Sequence, residues 1–324
     1  LPGTVFALLS SSFLLQRSAA TVTYFLFIMK HAFIQLHIAV MLAGFSAVFG
    51  KLIGLNEGLL SWYRLFFSVV LLGLLLVFTG RLKTIKQADF IRLGAVGFLL
   101  GLAWVLFYGS IKYANISVGV VCCSLTGFFT AVLEPITGRK RLSVANLLLG
   151  SLAVAGVALI FHFDARYRTG IVLGVSCALL MAFFAIANRS LAQRFSSGLI
   201  TFYEMLGGCI GISLLLPVYL YYFPSASLLP TWTDTGYLLL LSLLCTIGLY
   251  FLMTRALQRV SAFAANLAFN LEPVYSIVLA MLFFGENRLL NPAFYAGLGC
   301  ILLSVLLQML NEMRKYRRQT AEQK

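Results

Sequence analysis

The 324-residue chain is 61% hydrophobic and only 10% charged, with a mean hydropathy of +0.96. So little polar surface cannot cover a soluble globule, and apolar runs near 20 residues recur along the chain, which is the pattern of an all-α polytopic membrane protein. The formal net charge of +14 is spread in short clusters between apolar runs and does not form one basic face, so it reads as membrane topology and excludes nucleic acid as the expected partner.

Residues 1–28 run through apolar and Ser-rich sequence interrupted by Arg17, and only then does the chain reach Met29-Lys30-His31. A Met followed by a basic residue and an apolar run reads as a cytoplasmic start, so 1–28 are expected to be a non-native or mis-assigned extension, dispensable for membrane insertion and activity. From Phe33 onward ten apolar runs have spanning length, at about 33–53, 58–79, 89–109, 115–134, 143–161, 170–190, 198–220, 236–254, 261–284 and 292–312. The joints between them are short and carry loop or cap residues, as at Asn56-Glu57-Gly58, Thr79-Gly80-Arg81 and Gly285-Glu286-Asn287. The longest, Tyr222 to Thr235, contains Pro224, Pro230 and Trp232 and is expected to lie on the membrane surface.

When the joints are numbered alternately, one side receives seventeen basic residues, among them Arg81, Arg139, Lys140, Arg141, Arg255 and the tail Arg314 to Lys324. The other receives six: Lys51, Arg64, Lys112, Arg166, Arg168 and Arg288. Lys and Arg are retained in the cytoplasm, so both termini are expected there.

The ninth run holds the most unusual chemistry. Asn266-Leu267-Ala268-Phe269-Asn270-Leu271-Glu272-Pro273 sets two amides, a carboxylate and a helix-breaking proline inside an apolar segment. An ionisable group at that depth costs about 2.5–3.5 kcal/mol on insertion scales, so it implies a partner or a path for a solute or ion. Pro273 deprives the Phe269 carbonyl of its helical donor, which is tolerated where the backbone faces protein or a wet cavity. Asn266 and Asn270 are four residues apart and share a helical face, while Glu272 diverges from Asn266 by about 120°. The same carboxylate could exchange a proton for a cationic substrate group and so couple two fluxes.

A weak internal repeat supports this placement. At an offset of 146 residues, Ser124-Leu125-Thr126-Gly127 falls on Asn270-Leu271-Glu272-Pro273, and Trp104 falls on Tyr250; an offset of 140 sets Arg64 on Glu204. Two halves of five helices follow, and because five is odd the second is inverted in the membrane. Such halves commonly enclose a midplane site.

The chain resembles the drug/metabolite transporter superfamily and, within it, the EamA-like permeases, from about Met29 to Asn311. The residues that carry the resemblance are Gly44 with Lys51 in the first run, Arg64 in the second, and Asn270-Leu271-Glu272-Pro273 continuing to Leu282-Phe283-Phe284-Gly285-Glu286 in the ninth. The first half departs from the family pattern: Gly138-Arg139-Lys140-Arg141 stands where a Gly-Glu pair is expected, and Ala43 where a tryptophan is common. The resemblance implies two inverted five-helix repeats, 29–163 and 164–313, with a basic cytoplasmic tail at 314–324. It further implies a secondary transporter in the inner or plasma membrane, moving a small metabolite such as an amino acid by alternating access, in the export direction. A proton or counter-solute would be the second partner, and no cofactor or metal is expected.

The candidate substrate or coupling residues are therefore Glu272, Asn270, Asn266, Trp104, Tyr250, Arg64 and Glu204. Arg64 either snorkels to the interface or lines an outer vestibule. Glu204 either attracts cations or pairs with Arg189 or Arg194. Gly97 and Gly101, Gly170 and Gly174, and Gly207 and Gly211 are each spaced by four and are expected to admit close helix contacts. The six cysteines all lie in apolar runs without metal-ligand spacing and read as packing residues. The alternatives are an intramembrane enzyme or a non-transporting scaffold. The first lacks a paired-histidine or nucleophile-elbow motif, and the second would not require the polar residues of the ninth run.

Overall fold

The computed structural model describes residues 31, 34–137, 144–163, 165–191, 194–257, 268–269 and 271–322, and these form helices joined by turns and loops, with no strand among them. The expected extension at 1–28 lies outside the described residues. In chain order the helices are α1 (Ile34–Leu52), α2 (Glu57–Phe78), α3 (Gln87–Tyr113), α4 (Ile116–Cys123), α5 (Thr126–Ile136), α6 (Val144–Phe163), α7 (Arg168–Leu191), α8 (Ser197–Tyr222) and α9 (Trp232–Ser242). A wide turn of π-helix, Leu243–Gly248, leads into α10 (Leu249–Leu257), followed by α11 (Glu272–Phe284) and α12 (Pro292–Glu322).

Among the described residues, seven helical stretches are long and apolar enough to cross a membrane, with α4 and α5 together counting as one and α9, the wide turn and the start of α10 as another. Three shorter apolar helices, Leu147–Ile160, Glu272–Phe284 and Pro292–Gln308, fall where the fifth, ninth and tenth runs were expected. The 13 residues of α11 rise only about 20 Å, against a hydrocarbon core of about 30 Å. The reason is local: Leu271 forms a turn, and Pro273 sits in the first helical turn, where its missing N–H needs no partner.

Local chemistry explains the other boundaries. The Asn56 side chain accepts a hydrogen bond from the Leu59 N–H at the start of α2, and Asn115 does the same for Val118 at the start of α4. Thr231 and Asp234 form a reciprocal capping box on α9. Gly285 ends α11 at φ +61, a left-handed conformation that glycine adopts without a Cβ penalty. Many hydroxyls inside the helices turn back onto their own backbone: Thr130 donates to Thr126 O, Ser213 to Cys209 O and Ser276 to Glu272 O.

The two halves interlock through α3. A methyl group on Gly97 would overlap the Glu204 carbonyl of α8, and one on Gly207 would overlap Gly94. On its other side α3 meets α7, where a Cβ on Gly170 would lie 2.5 Å from Ala114 Cβ, and Ser110 donates to the Gly170 carbonyl at 2.6 Å. The expected glycine pairs therefore do mark close crossings. Gly94, which that pattern omits, completes the tightest one.

Candidate functional site

A buried polar cluster is built around Arg64, two turns into α2. Its side chain is 4% exposed, so it neither snorkels to the interface nor lines an open vestibule. One Nη donates to Tyr108 Oη at 2.6 Å and to Ser46 Oγ at 3.0 Å, while Nε and the other Nη reach Thr246 Oγ1 at 3.4 and 3.3 Å. The guanidinium lies 3.6 Å from the ring centroid of Trp104, a cation–π contact. These partners come from α1, α3 and the wide turn after α9. That turn widens the helical path at the point where it presents Thr246, a common setting for functional groups. Among the described residues, no carboxylate is within ion-pair distance of Arg64.

Glu272 begins α11. The inward face of that helix carries the buried Ser276, Ile277 and Ala280, while Val274, Val278, Leu282 and Phe283 are exposed on the other side. Gly44 of α1 packs on Ser276, so the face that bears Glu272 looks into the bundle. Glu272 itself is only half-buried there. α1 links the two groups: its Gly44 lies against Ser276, one turn after Glu272, and its Ser46 is bonded to Arg64. The arrangement sets a buried cation and a half-buried carboxyl on inward faces of helices that both pack on α1.

The repeat alignment is repeated in the backbone. With the 146-residue offset, Thr126 corresponds to Glu272, and these two residues begin α5 and α11. The preceding Leu125 and Leu271 are both right-handed, at φ −65, ψ −10 and φ −87, ψ −7, and neither supplies a side-chain cap. Each half thus carries a break at the same place. In the first half, Ser124 and Thr126 donate to the Val121 and Cys123 carbonyls, satisfying backbone that the break frees.

The remaining candidates are dispersed. Trp104 stacks on Arg64, but its repeat counterpart Tyr250 lies elsewhere, with its hydroxyl against Gly198 at the start of α8. Glu204 is 3% exposed on α8, and one of its carboxylate oxygens has no hydrogen-bond partner among the described residues. No ion pair joins Glu204 to Arg194, and the Arg189 side chain lies outside the described residues. Asn266 and Asn270 also lie outside them. Sequence reasoning passed over Ser46 and Thr246 because single hydroxyls are ordinary in apolar helices; only their convergence on Arg64 singles them out. Cys123 and Cys177 touch across α4 and α7, their sulfurs 3.5 Å apart as free thiols.

A second polar cluster closes the end of the bundle that carries Lys51. Glu286, fully buried after α11, receives the Lys51 ammonium at 2.7 Å, the Ser117 hydroxyl at 2.7 Å, and the backbone N–H groups of Ile116 and Ser117 at 3.0 and 2.9 Å. Burial alone would raise its carboxyl, but Lys51, Ser117 and the two N–H groups outweigh it and hold the group below the usual carboxylate range. A carboxyl depressed on folding contributes stability that is complete above its ordinary value, near 4.3, and fades as pH falls through the lowered one. The cluster therefore stays charged at neutral and mildly acid pH. Nearby, Asp234 of α9 accepts from the Gly54 N–H at 2.8 Å, and Tyr219 of α8 donates to Glu57 at 2.6 Å.

Comparison with known proteins adds three findings. The model of the EamA-like transporter family matches residues 31–162 and 168–310. A protein of Haemophilus influenzae (strain ATCC 51907 / DSM 11121 / KW20 / Rd), named an uncharacterized transporter, is 27% identical over 167 residues, covering 48% of this chain and 54% of that relative. The chain thus spans about half the length of the curated relative it matches. A solved crystal structure superposes with a TM-score of 0.58 at 16% identity, covering 87% of this chain and 98% of the other, a likeness of fold.

Proposed function

Because the chain belongs to the EamA-like transporter family, we propose that it is a secondary transporter that carries a small metabolite, an amino acid or a related compound, outward across the inner or plasma membrane by alternating access. The observation that carries this reading is the half-buried Glu272 at the head of the second helix break, in register with Thr126 and on the face of α11 that packs on α1, the helix whose Ser46 bonds Arg64. Paired breaks at corresponding points of two repeats are where transporters of this architecture hold their cargo. Arg64 would orient an anionic group of the solute and Glu272 a cationic one, with a proton or counter-solute returning through the same chamber. The ten apolar runs are taken as ten spans in two inverted halves, with the three shorter helices completing the count.

Purified protein in proteoliposomes loaded with a panel of amino acids should release at least one of them faster than empty vesicles, and an imposed proton gradient should change that rate if protons are exchanged. Equal leakage from protein-containing and protein-free vesicles across the panel, with the protein shown to be folded, would remove the reading.

The charge distribution places both termini in the cytoplasm and the Tyr222 to Thr235 joint outside. Ser225 in that joint, changed to cysteine, should react with a membrane-impermeant maleimide in intact cells. Reaction only after lysis would reverse the orientation.

A further inference from the structure

The guanidinium of Arg64 is held unequally on its different sides. One Nη is clamped, since it donates to Tyr108 Oη at 2.6 Å and to Ser46 Oγ at 3.0 Å, and those two hydroxyls also meet each other at 3.2 Å. One face is covered by the Trp104 ring, 3.6 Å away. The edge formed by Nε and the other Nη has a single neutral acceptor, Thr246 Oγ1, at 3.4 and 3.3 Å. Good N–H···O bonds lie at about 2.7–3.2 Å, and charge-assisted pairs with a carboxylate at about 2.7–2.9 Å. That edge is therefore under-filled. Two parallel N–H groups sharing one distant hydroxyl form the fork to which a carboxylate brings two oxygens.

The hydroxyl on this edge belongs to an element able to yield. Thr246 lies in the wide turn Leu243–Gly248, and Ser242, just before that turn, donates to the Arg64 carbonyl at 3.2 Å. The turn is thus moored to α2 four residues ahead of Thr246. Tightening a wide turn to ordinary α-helical winding shifts the residues that follow the mooring without breaking the span. The chain itself offers little to fill the edge: the hydrogen-bonding and ring partners of Arg64 are all neutral, and of the residues outside the described ones Asp164 alone is acidic, in the joint after α6.

We propose that the Nε–Nη edge of Arg64 is the docking edge for the carboxylate of the solute and that Thr246 is its placeholder, hydrogen-bonding the edge while the site is empty and giving way when a carboxylate arrives. The proposal deepens the transporter reading and rests on it for the ligand being cargo. It sets the class of solute: compounds with a free carboxylate bind, and the matching amides do not. It also makes Thr246 a determinant of affinity, because each carboxylate that binds must displace its hydroxyl.

Trp104 reports the site through its contact with the guanidinium. With Trp62→Phe and Trp232→Phe it is the one tryptophan left in the chain. In detergent, sodium acetate exchanged for sodium chloride at constant ionic strength should give a saturable change in Trp104 emission, and acetamide, of the same shape but neutral, should give none. Thr246→Val keeps the side-chain shape and removes the competing hydroxyl, so acetate should bind about two- to tenfold more tightly, the worth of one ordinary hydrogen bond. A merely structural role for Thr246 would leave that affinity unchanged. Thr246→Asp fills the edge from within and should abolish the response. Arg64→Lys keeps the charge but loses the fork and should weaken binding by about tenfold or more. Each variant is scored only as a monodisperse species, and the wild-type comparison of acetate with acetamide stands whichever variants fold. Equal responses to acetate and acetamide, the lack of a saturable response, or a Thr246→Val variant that binds acetate no more tightly than wild type overturns the proposal. Because the titration involves no transport, saturable acetate binding in a protein that moves no solute in vesicles would leave the docking edge standing and remove the transporter reading, and flux confined to solutes without a carboxylate would do the reverse.

Discussion

Glu272→Gln is expected to remove the proton-dependent part of solute flux while leaving the protein folded and inserted. Glutamine keeps the size and hydrogen-bonding groups of the side chain but cannot ionise, so it isolates charge from shape. A hydrogen bond to a charged partner contributes about 1.5–3 kcal/mol, so solute flux should fall by roughly tenfold to a hundredfold. Glu272→Ala removes both charge and hydrogen bonding and should fall at least as far. The measurement is flux in proteoliposomes across a pH series, with wild type and both variants at equal abundance. If both variants match the wild type at every pH, Glu272 is a packed residue and the chamber lies elsewhere.

Gly97→Ala is expected to damage the fold as heavily as any single change outside the chamber. Its Cβ would overlap the Glu204 carbonyl, which is backbone and has no rotamer to swing away. Overpacked sites usually cost about 1–3 kcal/mol when side chains can adjust. Here α3 and α8 must separate, and with them the Gly94–Gly207 contact, so the loss should reach roughly 3 kcal/mol or more. Gly236→Ala is the control: nothing lies within 4 Å of its Cβ position, and in a helix alanine is favoured over glycine by about 1 kcal/mol. Thermal unfolding in detergent, followed by size-exclusion recovery, should show Gly97→Ala losing its monodisperse peak well below the wild-type temperature and Gly236→Ala unchanged or improved. A Gly97→Ala variant as stable as wild type would mean the α3–α8 crossing is looser than described.

Much of this was legible in the sequence, because bilayers impose a coarse and strong rule on composition. Apolar length placed the helices, four-residue glycine spacing marked faces fit for close approach without saying which faces meet, and the polar residues before Pro273 placed the second break. Even the correspondence of Thr126 with Glu272 was available, since both follow from one offset. The company Arg64 keeps was not. Ser46, Tyr108 and Thr246 lie 18, 44 and 182 residues from it, and no local periodicity connects them. The surroundings of Tyr250 were not legible for a related reason: the wide turn at Leu243–Gly248 changes the winding just before it, and its hydroxyl stands against Gly198. Glu204 was legible as an acid within a span, but the absence of an ion pair to Arg194 was not.

The division between hydroxyls that bond their own helix and charges that bond other helices bears on how the chain enters the membrane. Thr130, Ser213 and Ser276 arrive with their hydrogen bonds already made and need no neighbour to be at home in hydrocarbon. Arg64 has no such provision: Ser46 precedes it on the ribosome, Tyr108 follows, and Thr246 is not synthesised until 182 residues later. An arginine two turns into a spanning helix costs the inserting segment up to about 2.5–3.5 kcal/mol, the value at the helix centre. During biogenesis α2 thus remains the reluctant segment, retained by its apolar neighbours and secured only when the turn bearing Thr246 reaches it.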